Sequence, residues 1–402
     1  MSLKIALVID KYDPKKGGAE GYVRGLALGL ADRGHDVTIL ARDTAPEPDG
    51  RITVVPVSAP KHPKWLRLLG FVRGVEKIAA EGDFDVVHGV GYNTGVTLLN
   101  PHSGVEQSWI EGDDASRESF WGRLFGKIRR GLMIRHYLIL RLQRRQYRDP
   151  GVRAIVAIAG MIKDDMIRFH AVDEKRIRVV FNGVDLERFH PRLRIDVRER
   201  ERSRLGVADD EVVILLVANN FRLKGVLPAV RMLPRLGELV DRPFRLFVVG
   251  RGDTEKYLAE AKRLGVGDRF RFLDYVPDMP PLYAAADIYY HPTFYDSCSL
   301  VVLEAFATGL PVVTTAKNGA SGAITEEAVG RVLADPRDTD ETARALAAFF
   351  PDDARKEALE ATKRLRDAYD EKKNIDAVEA IYYEIAEKKR SAIRAGRKKE
   401  RP

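Results

Sequence analysis

Two carboxylates stand eight positions apart in the stretch FYDSCSLVVLEAFATGLPVV, residues 294–313. The second of them, Glu304, is alone in an apolar run, with Leu300, Val301, Val302, Leu303, Ala305, Phe306 and Ala307 around it. A carboxylate in that company must find hydrogen-bond donors or hold on to its proton. An Arg or Lys from elsewhere in the chain would serve. So would a ribose diol, whose two hydroxyls each offer a charge-assisted bond worth roughly 1.5–3 kcal/mol. A pair of acids at this spacing also admits a glycoside hydrolase, with Asp296 and Glu304 as acid and base.

The elements that must position these groups can be read from the same stretch. ADIYYHPT reads as a strand, FYDSCS as a loop and LVVLEAFAT as a short helix, with Gly309 capping its end and Pro311 preventing its continuation. Ser297 or Ser299 is the expected N-cap. The helix start, Ser297, Cys298, Ser299 and Leu300, then lies at the C-terminal edge of a sheet, where free N–H groups and the helix dipole favour a phosphate.

The grammar extends along the chain. Strand-like runs KIALVI, DVTILAR, ITVVPV, FDVVHGV and AIVAIA alternate with helical patterns, and the alternation restarts after residue 210 with VVILLVAN, FRLFVVGRGD, RFRFLDYV, ADIYYHPT and PVVTT. Buried strands alternating with helices predict α/β architecture with parallel sheets. A chain of 402 residues suggests two such domains in series, with a ligand cleft at the C-terminal ends of their strands.

Composition narrows the class. The content, 45% hydrophobic and 31% charged, is that of a globular protein. No apolar run approaches the ~20 residues needed to cross a bilayer, and the N-terminal run of five before Asp10 is too short for a signal peptide. A single cysteine, Cys298, excludes an intrachain disulfide framework and suits a reducing cytoplasm. The net charge of +8 is concentrated: residues 116–148 carry +9, residues 388–402 carry +7, and the remainder is near −8. This is an acidic chain with two basic patches, which points to a local anionic partner.

Further residues invite chemistry. Gly17 and Gly18 precede the first helix, where a bare backbone can approach a diphosphate or an acceptor; a plain tight turn is the alternative. Their pattern, Gly-Gly-x-x-Gly, is not the dinucleotide fingerprint. Arg222 and Lys224 follow a strand, where cations would stabilise a departing phosphate. Gly252 is either a backbone approach point or a simple loop glycine. The run Asp83-Phe84-Asp85 mimics an Asp-x-Asp metal motif but sits at the start of a buried strand, and Cys298 lacks a clear base to make it a nucleophile.

HPTFYDSCSLVVLEAFATGLPVVTTAKNGASGAI resembles the signature of retaining glycosyltransferases of family 4, whose hallmark is two glutamates separated by seven residues. Asp296 takes the first place and Glu304 the second, so the first departs by one methylene of reach. PKKGGAEGYVRGLALGLADRGHDVTILAR, AIVAIAGMIKDDMIRFHAVDEKRIRVVFNGVDLERFHP, LLVANNFRLKGV, FVVGRGD and YVPDMPPLYAAADIYYHPT are similar to further family segments, in order. The resemblance implies a GT-B fold, two Rossmann-like doubly wound domains facing across a cleft. Expected boundaries are an acceptor-side domain over 1–184, a donor domain over 185–368, and a last helix over 369–402 crossing back to the first domain and ending in a basic tail.

It further implies transfer of a glucose-like hexose from a nucleotide-diphosphate sugar to an acceptor hydroxyl with retained configuration, with no metal and no cofactor beyond the donor. Arg222 and Lys224 would neutralise the diphosphate, Asp296 and His102 would face the donor sugar, and backbone atoms at Val276 would hold the base. His88 is expected to be structural.

Residues 116–148 form an insert in which Trp121, Leu124, Phe125, Ile128 and Leu132 recur at helical spacing while Arg123, Lys127 and Arg130 fall on other faces. Such a helix suits a membrane surface with anionic headgroups, or packs on its own domain. The insert resembles that of the lipopolysaccharide-core glucosyltransferase branch, which implies a glycolipid acceptor and a peripheral place at the inner face of the plasma membrane. A nucleotide-sugar-binding protein without transfer activity is the competing reading. Nucleic acid is not expected as a partner, because the insert is too apolar for a solvated arm.

Overall fold

In the computed structural model, which describes residues 1–15, 18–131 and 133–399, the run Lys4–Tyr12 forms β1 with five consecutive buried residues after Lys4. A strand buried on both faces belongs to a parallel sheet covered by helices. β2 (Asp36–Thr44), β3 (Ile52–Pro56), β4 (Val86–Val90), β5 (Leu98–Asn100), β6 (Ala154–Ala157) and β7 (Ile177–Val179) join it. All pair in parallel, in the order β3-β2-β1-β4-β5-β6-β7. Strand addition reverses between β1 and β4. The loops leaving these two strands therefore run to opposite faces and open a crevice at their C-terminal ends.

A second sheet repeats the plan. β8 (Val212–Val217), β9 (Phe244–Val249), β10 (Phe270–Leu273), β11 (Ile288–His291), β12 (Val312–Thr315) and β13 (Gly330–Leu333) pair in parallel in the order β10-β9-β8-β11-β12-β13. Its reversal lies between β8 and β11, where Ile288 is in register with Ile214.

Two units result, each with its own core. The first comprises Met1–Ser108, Leu124–Gly183 and the chain from Glu371 on; the second comprises Trp109–Arg123 and Val184–Asp370. Residues 109–123, which the sequence reading assigns to the first domain, thus group with the second. The physical reason is an ion pair: Asp113, in this segment, holds Arg222. The long helix Glu371–Lys399 packs Ile375, Val378, Ile381, Tyr382 and Ile385 into the core of the first unit beside Ile5, Leu7 and Val86. The second core gathers Ile214, Leu216, Leu246, Val248, Ile288 and Phe349 from its strands and helices. Gly17, Leu132 and residues 400–402 of the basic tail lie outside the described residues.

Candidate active site

The switch point of the second sheet holds the first of the two acids. β11 ends at His291 and the following loop carries Asp296 inward. The loop is pinned by its backbone: Asp296 N–H donates to the Lys317 carbonyl at 2.9 Å, and Gly319 N–H donates to the Asp296 carbonyl at 2.9 Å. From the loop after β8, Lys224 donates to Asp296 Oδ2 in an ion pair whose side chains are 14% and 15% exposed. His291 Nε2 lies 3.4 Å from the same oxygen. Burial works to raise the Asp296 carboxyl, but the Lys224 charge and the His291 contact outweigh it and hold the group well below the usual carboxylate range. Asp296 is therefore ionised across the working pH range.

Two glycines let these loops come together. Gly225 sits at φ +73°, and a Cβ there would meet the Pro292 carbonyl oxygen at 1.9 Å. Gly250, at φ +144° after β9, would put a Cβ 1.8 Å from the Ala218 carbonyl oxygen. Only a residue without a side chain permits either contact. Gly252 is also crowded, though by the Phe221 ring at 2.8 Å.

Glu304 stands in a different electrostatic state. The helix Leu300–Ala307 begins after Ser299, no side chain caps it, and Gly309 follows in the left-handed region at φ +88°. Val302, Leu303, Ala305, Phe306 and Ala307 are buried, whereas Leu300, Val301 and Glu304 are only partly so and share one face of the helix. Tyr283 Oη donates to Glu304 Oε2 at 2.8 Å. No described residue forms an ion pair with Glu304; Arg188 acts on it only at a distance and is itself paired with Asp278 at 3.4 Å. Burial accordingly raises the Glu304 carboxyl above its ordinary value, and neither Tyr283 nor Arg188 offsets this. Eight positions apart, one acid is locked in the charged form and the other lacks a counter-charge.

The remaining predicted residues divide. Cys298 and Ser299 are buried in the loop before the helix, where Ser299 N–H donates to Asn318 Oδ1 at 3.3 Å. Val276 is half-buried in the coil after β10, next to Tyr275, over which Arg251 stacks at 5.2 Å. Arg222 does not join Lys224. Its guanidinium donates to the Asp113 carbonyl at 2.9 Å and pairs with the Asp113 carboxylate and Ser116 Oγ. It lines a separate cavity of about 480 Å³ with Leu227, Arg231 and Lys256, which takes in neither acid. A basic pair two residues apart on a loop points in two directions, so the expected joint role is not what the geometry presents.

In the first unit, Gly18 sits at φ +68° as the N-cap of the helix Ala19–Asp32. His102 follows β5, its ring 4.5 Å from that of Tyr22; burial pushes its pKa down to about 4, so it is neutral at pH 7. His88, buried on β4, shares a hydrogen bond with Tyr382 Oη at 2.6 Å and belongs to the core. Asp83 and Asp85 meet Lys4 before β4, at the sheet's N-terminal edge. Sequence reasoning missed Tyr283, His291, Gly225 and Gly250. Tyr283, Gly225 and Gly250 act through residues distant in the chain, and His291 through the fold of the loop that follows it; only the Gly at the end of FVVG stood in a recognisable place.

Comparison with known proteins agrees with this fold. Residues 16–188 match the family model described as Glycosyltransferase Family 4, and residues 211–352 match the model described as glycosyl transferases group 1. The lipopolysaccharide glucosyltransferase WaaG of Escherichia coli is 26% identical over 332 residues, covering 83% of this chain and 85% of the relative. D-inositol 3-phosphate glycosyltransferase 1 of Catenulispora acidiphila is 28% identical over 419 residues, covering 95% and 92%. The crystal structure of WaaG superposes with a TM-score of 0.76 at 23% identity, covering 94% of this chain and 99% of that one. Two parallel sheets of the same order, and both halves of the sequence matched in turn, identify the chain as a member of glycosyltransferase family 4 with the GT-B fold, a glycosyltransferase.

Proposed function

We propose that the protein is a retaining hexosyltransferase that moves a glucose-like sugar from a nucleotide diphosphate to an envelope glycan or glycolipid, such as lipopolysaccharide core. The observation that carries this reading is the contrast between the two acids at one switch point. Glu304, with one hydrogen bond and no ion pair, suits two donor hydroxyls of a ribose. Lys224, held by Asp296, supplies positive charge where a diphosphate would leave, so the reading needs no metal. In the reaction the C1–O bond to the phosphate breaks, a C1–O bond to the acceptor forms on the same face, and the acceptor proton passes to the departing phosphate oxygen. No separate protein base is required. The similarity to WaaG, a named glucosyltransferase, supports hexose and glycolipid as substrate classes.

The same reading places the protein peripherally on the inner face of the plasma membrane. No helix among the described residues is long and apolar enough to span a bilayer. The helix Phe120–Gly131, however, exposes Phe120, Trp121 and Phe125 by 66%, 63% and 64%, with Arg123 among them and Lys127 just after. Apolar rings among cations suit an anionic lipid surface.

The departure at Asp296, drawn onto Lys224, favours a second reading: a nucleotide-sugar-binding protein without transfer. One experiment separates the two. UDP-, GDP- and ADP-hexoses are screened by thermal shift, where a ligand at a hundredfold excess over Kd adds about 2.7 kcal/mol. The hit is then incubated with a lipopolysaccharide-core acceptor and the product anomer read by proton NMR. Retained configuration supports the proposal; binding without product supports the second reading; no binding by any donor ends both.

A further inference from the structure

The two acids of the second switch point are joined by a buried polar chain that the transfer reading leaves unused. Tyr283 Oη donates to Glu304 Oε2 at 2.8 Å, and the Tyr283 ring meets that of Tyr289 edge-on at 5.9 Å. Tyr289 Oη lies 3.5 Å from His291 Nδ1, and His291 Nε2 lies 3.4 Å from Asp296 Oδ2. Two positions apart on β11, Tyr289 and His291 share one face of the sheet, with their rings within 12° of parallel. Both are buried.

The protons on this chain follow from its geometry. Burial lifts the Tyr283 and Tyr289 hydroxyls well above their ordinary pKa of 10, so both keep their protons. Burial and the Lys224 charge lower His291 from 6.5, so its ring is neutral at pH 7 and carries one proton. Asp296 is ionised, and His291 Nε2 has no other hydrogen-bond partner. A bare Nε2 would set its lone pair against a carboxylate oxygen. The ring proton therefore belongs on Nε2, aimed at Asp296 Oδ2, which leaves Nδ1 to accept from Tyr289.

Two donors thus converge on one oxygen. Lys224 reaches Oδ2 on a flexible four-carbon stem, as a point charge that fixes no direction. His291 approaches the same oxygen from a locked backbone. It is in register with Thr314 on β12, and Thr314 Oγ1 and Thr293 N–H both donate to its carbonyl at 2.8 Å. Oδ1 receives no hydrogen bond from a described residue.

We infer that His291 is a positioning residue for transfer: its Nε2–H holds Asp296 Oδ2, so that Oδ1 is left, in a fixed direction, to a hydroxyl of the donor sugar. The inference rests on the transferase reading and deepens it. A carboxylate one methylene shorter than glutamate has less reach to adjust, so its direction must be set from behind.

The test uses the full-length chain, with nitrogen-15-labelled histidine, as wild type, His291→Gln and His291→Leu. In the wild-type NMR spectrum, the ring signal that both variants lack should show its proton on Nε2. Kinetics use the nucleotide-hexose that binds in the screen and a lipopolysaccharide-core acceptor, and calorimetry measures the matching nucleoside diphosphate, which lacks the hexose. His291→Leu should lower kcat about tenfold to a hundredfold, the scale on which a misplaced group costs rate, while nucleoside diphosphate affinity stays within about twofold. His291→Gln, whose side-chain amide can donate from the place of Nε2, should recover most of that loss. A merely structural histidine gives another pattern: both variants melt earlier and lose diphosphate affinity along with kcat, with no advantage to glutamine. That pattern overturns the inference, as does an unchanged kcat in His291→Leu or a ring proton on Nδ1. The spectrum is read on wild type, so it decides even where a variant fails to fold. Any of these outcomes with wild-type turnover intact sinks the inference alone. If wild type binds and turns over no UDP-, GDP- or ADP-hexose, the transferase reading fails and takes the inference with it.

Discussion

Glu304→Gln removes a charge, keeps the shape, and separates folding from binding. In the free protein the Glu304 carboxylate accepts one hydrogen bond and faces no ion pair, and burial raises its pKa above the ordinary 4.5. Between these two values the folded carboxyl keeps a proton that the unfolded chain has released. The unfolded state therefore binds fewer protons there, and stability falls as pH rises from 4.5 through the folded value. Glutamine does not titrate, so the variant should lack this decline and be at least as stable as wild type at pH 8. Nucleotide binding should move the other way. Two hydroxyls on a carboxylate contribute roughly 1.5–3 kcal/mol each, and charge-assisted bonds are about twice as strong as neutral ones. The neutral amide should thus lose about 1.5–3 kcal/mol in total, a factor of roughly 10–150 in Kd. Thermal unfolding from pH 4 to 8, with and without the donor found by screening, reads both effects. Superimposable stability–pH profiles, or unchanged donor affinity in the variant, would refute the reasoning about this residue.

Other perturbations test the surrounding parts. Lys224→Ala leaves Asp296 ionised, mostly buried and in contact only with His291; it should cost about 3 kcal/mol of stability by chemical denaturation and abolish transfer. Gly250→Ala forces a Cβ to within 1.8 Å of the Ala218 carbonyl oxygen and should lower stability by about 2–4 kcal/mol, measured the same way, with donor binding impaired because the loops after β8 and β9 must part. Phe125→Glu with Ile128→Glu changes two exposed side chains, so the melting temperature should hold while binding to anionic vesicles in a flotation assay falls at least several-fold.

Much of the fold was legible in local pattern. Runs such as KIALVI and VVILLVAN are too apolar for a half-exposed strand and too short for a buried helix, so period and length together imply parallel sheets. β5, β7 and β13 escaped because three or four residues (LLN, IRV and GRVL) do not establish a period, and their neighbours in the sheet hold them in place. The acids at 296 and 304 were visible by type and spacing, as was the helix ending at Gly309, since a strand, a loop and a helix stop are all local signals.

What the tertiary structure decided is which charges meet. Arg222 and Lys224 are two residues apart, yet one turns to Asp113 and the other to Asp296, because the segment 109–123 supplies a competing carboxylate from a hundred residues away. Glu304 receives its one donor from Tyr283, on another helix. Lys64 and Arg67 are far from Arg135 in the sequence, and only the sheet order brings the two helix starts that carry them to one cavity. Sequence by itself determined the elements, because hydrogen bonding and apolar period act within a few residues. Pairing of charges depends on distances set by the strand order, and those distances exist only in the folded chain.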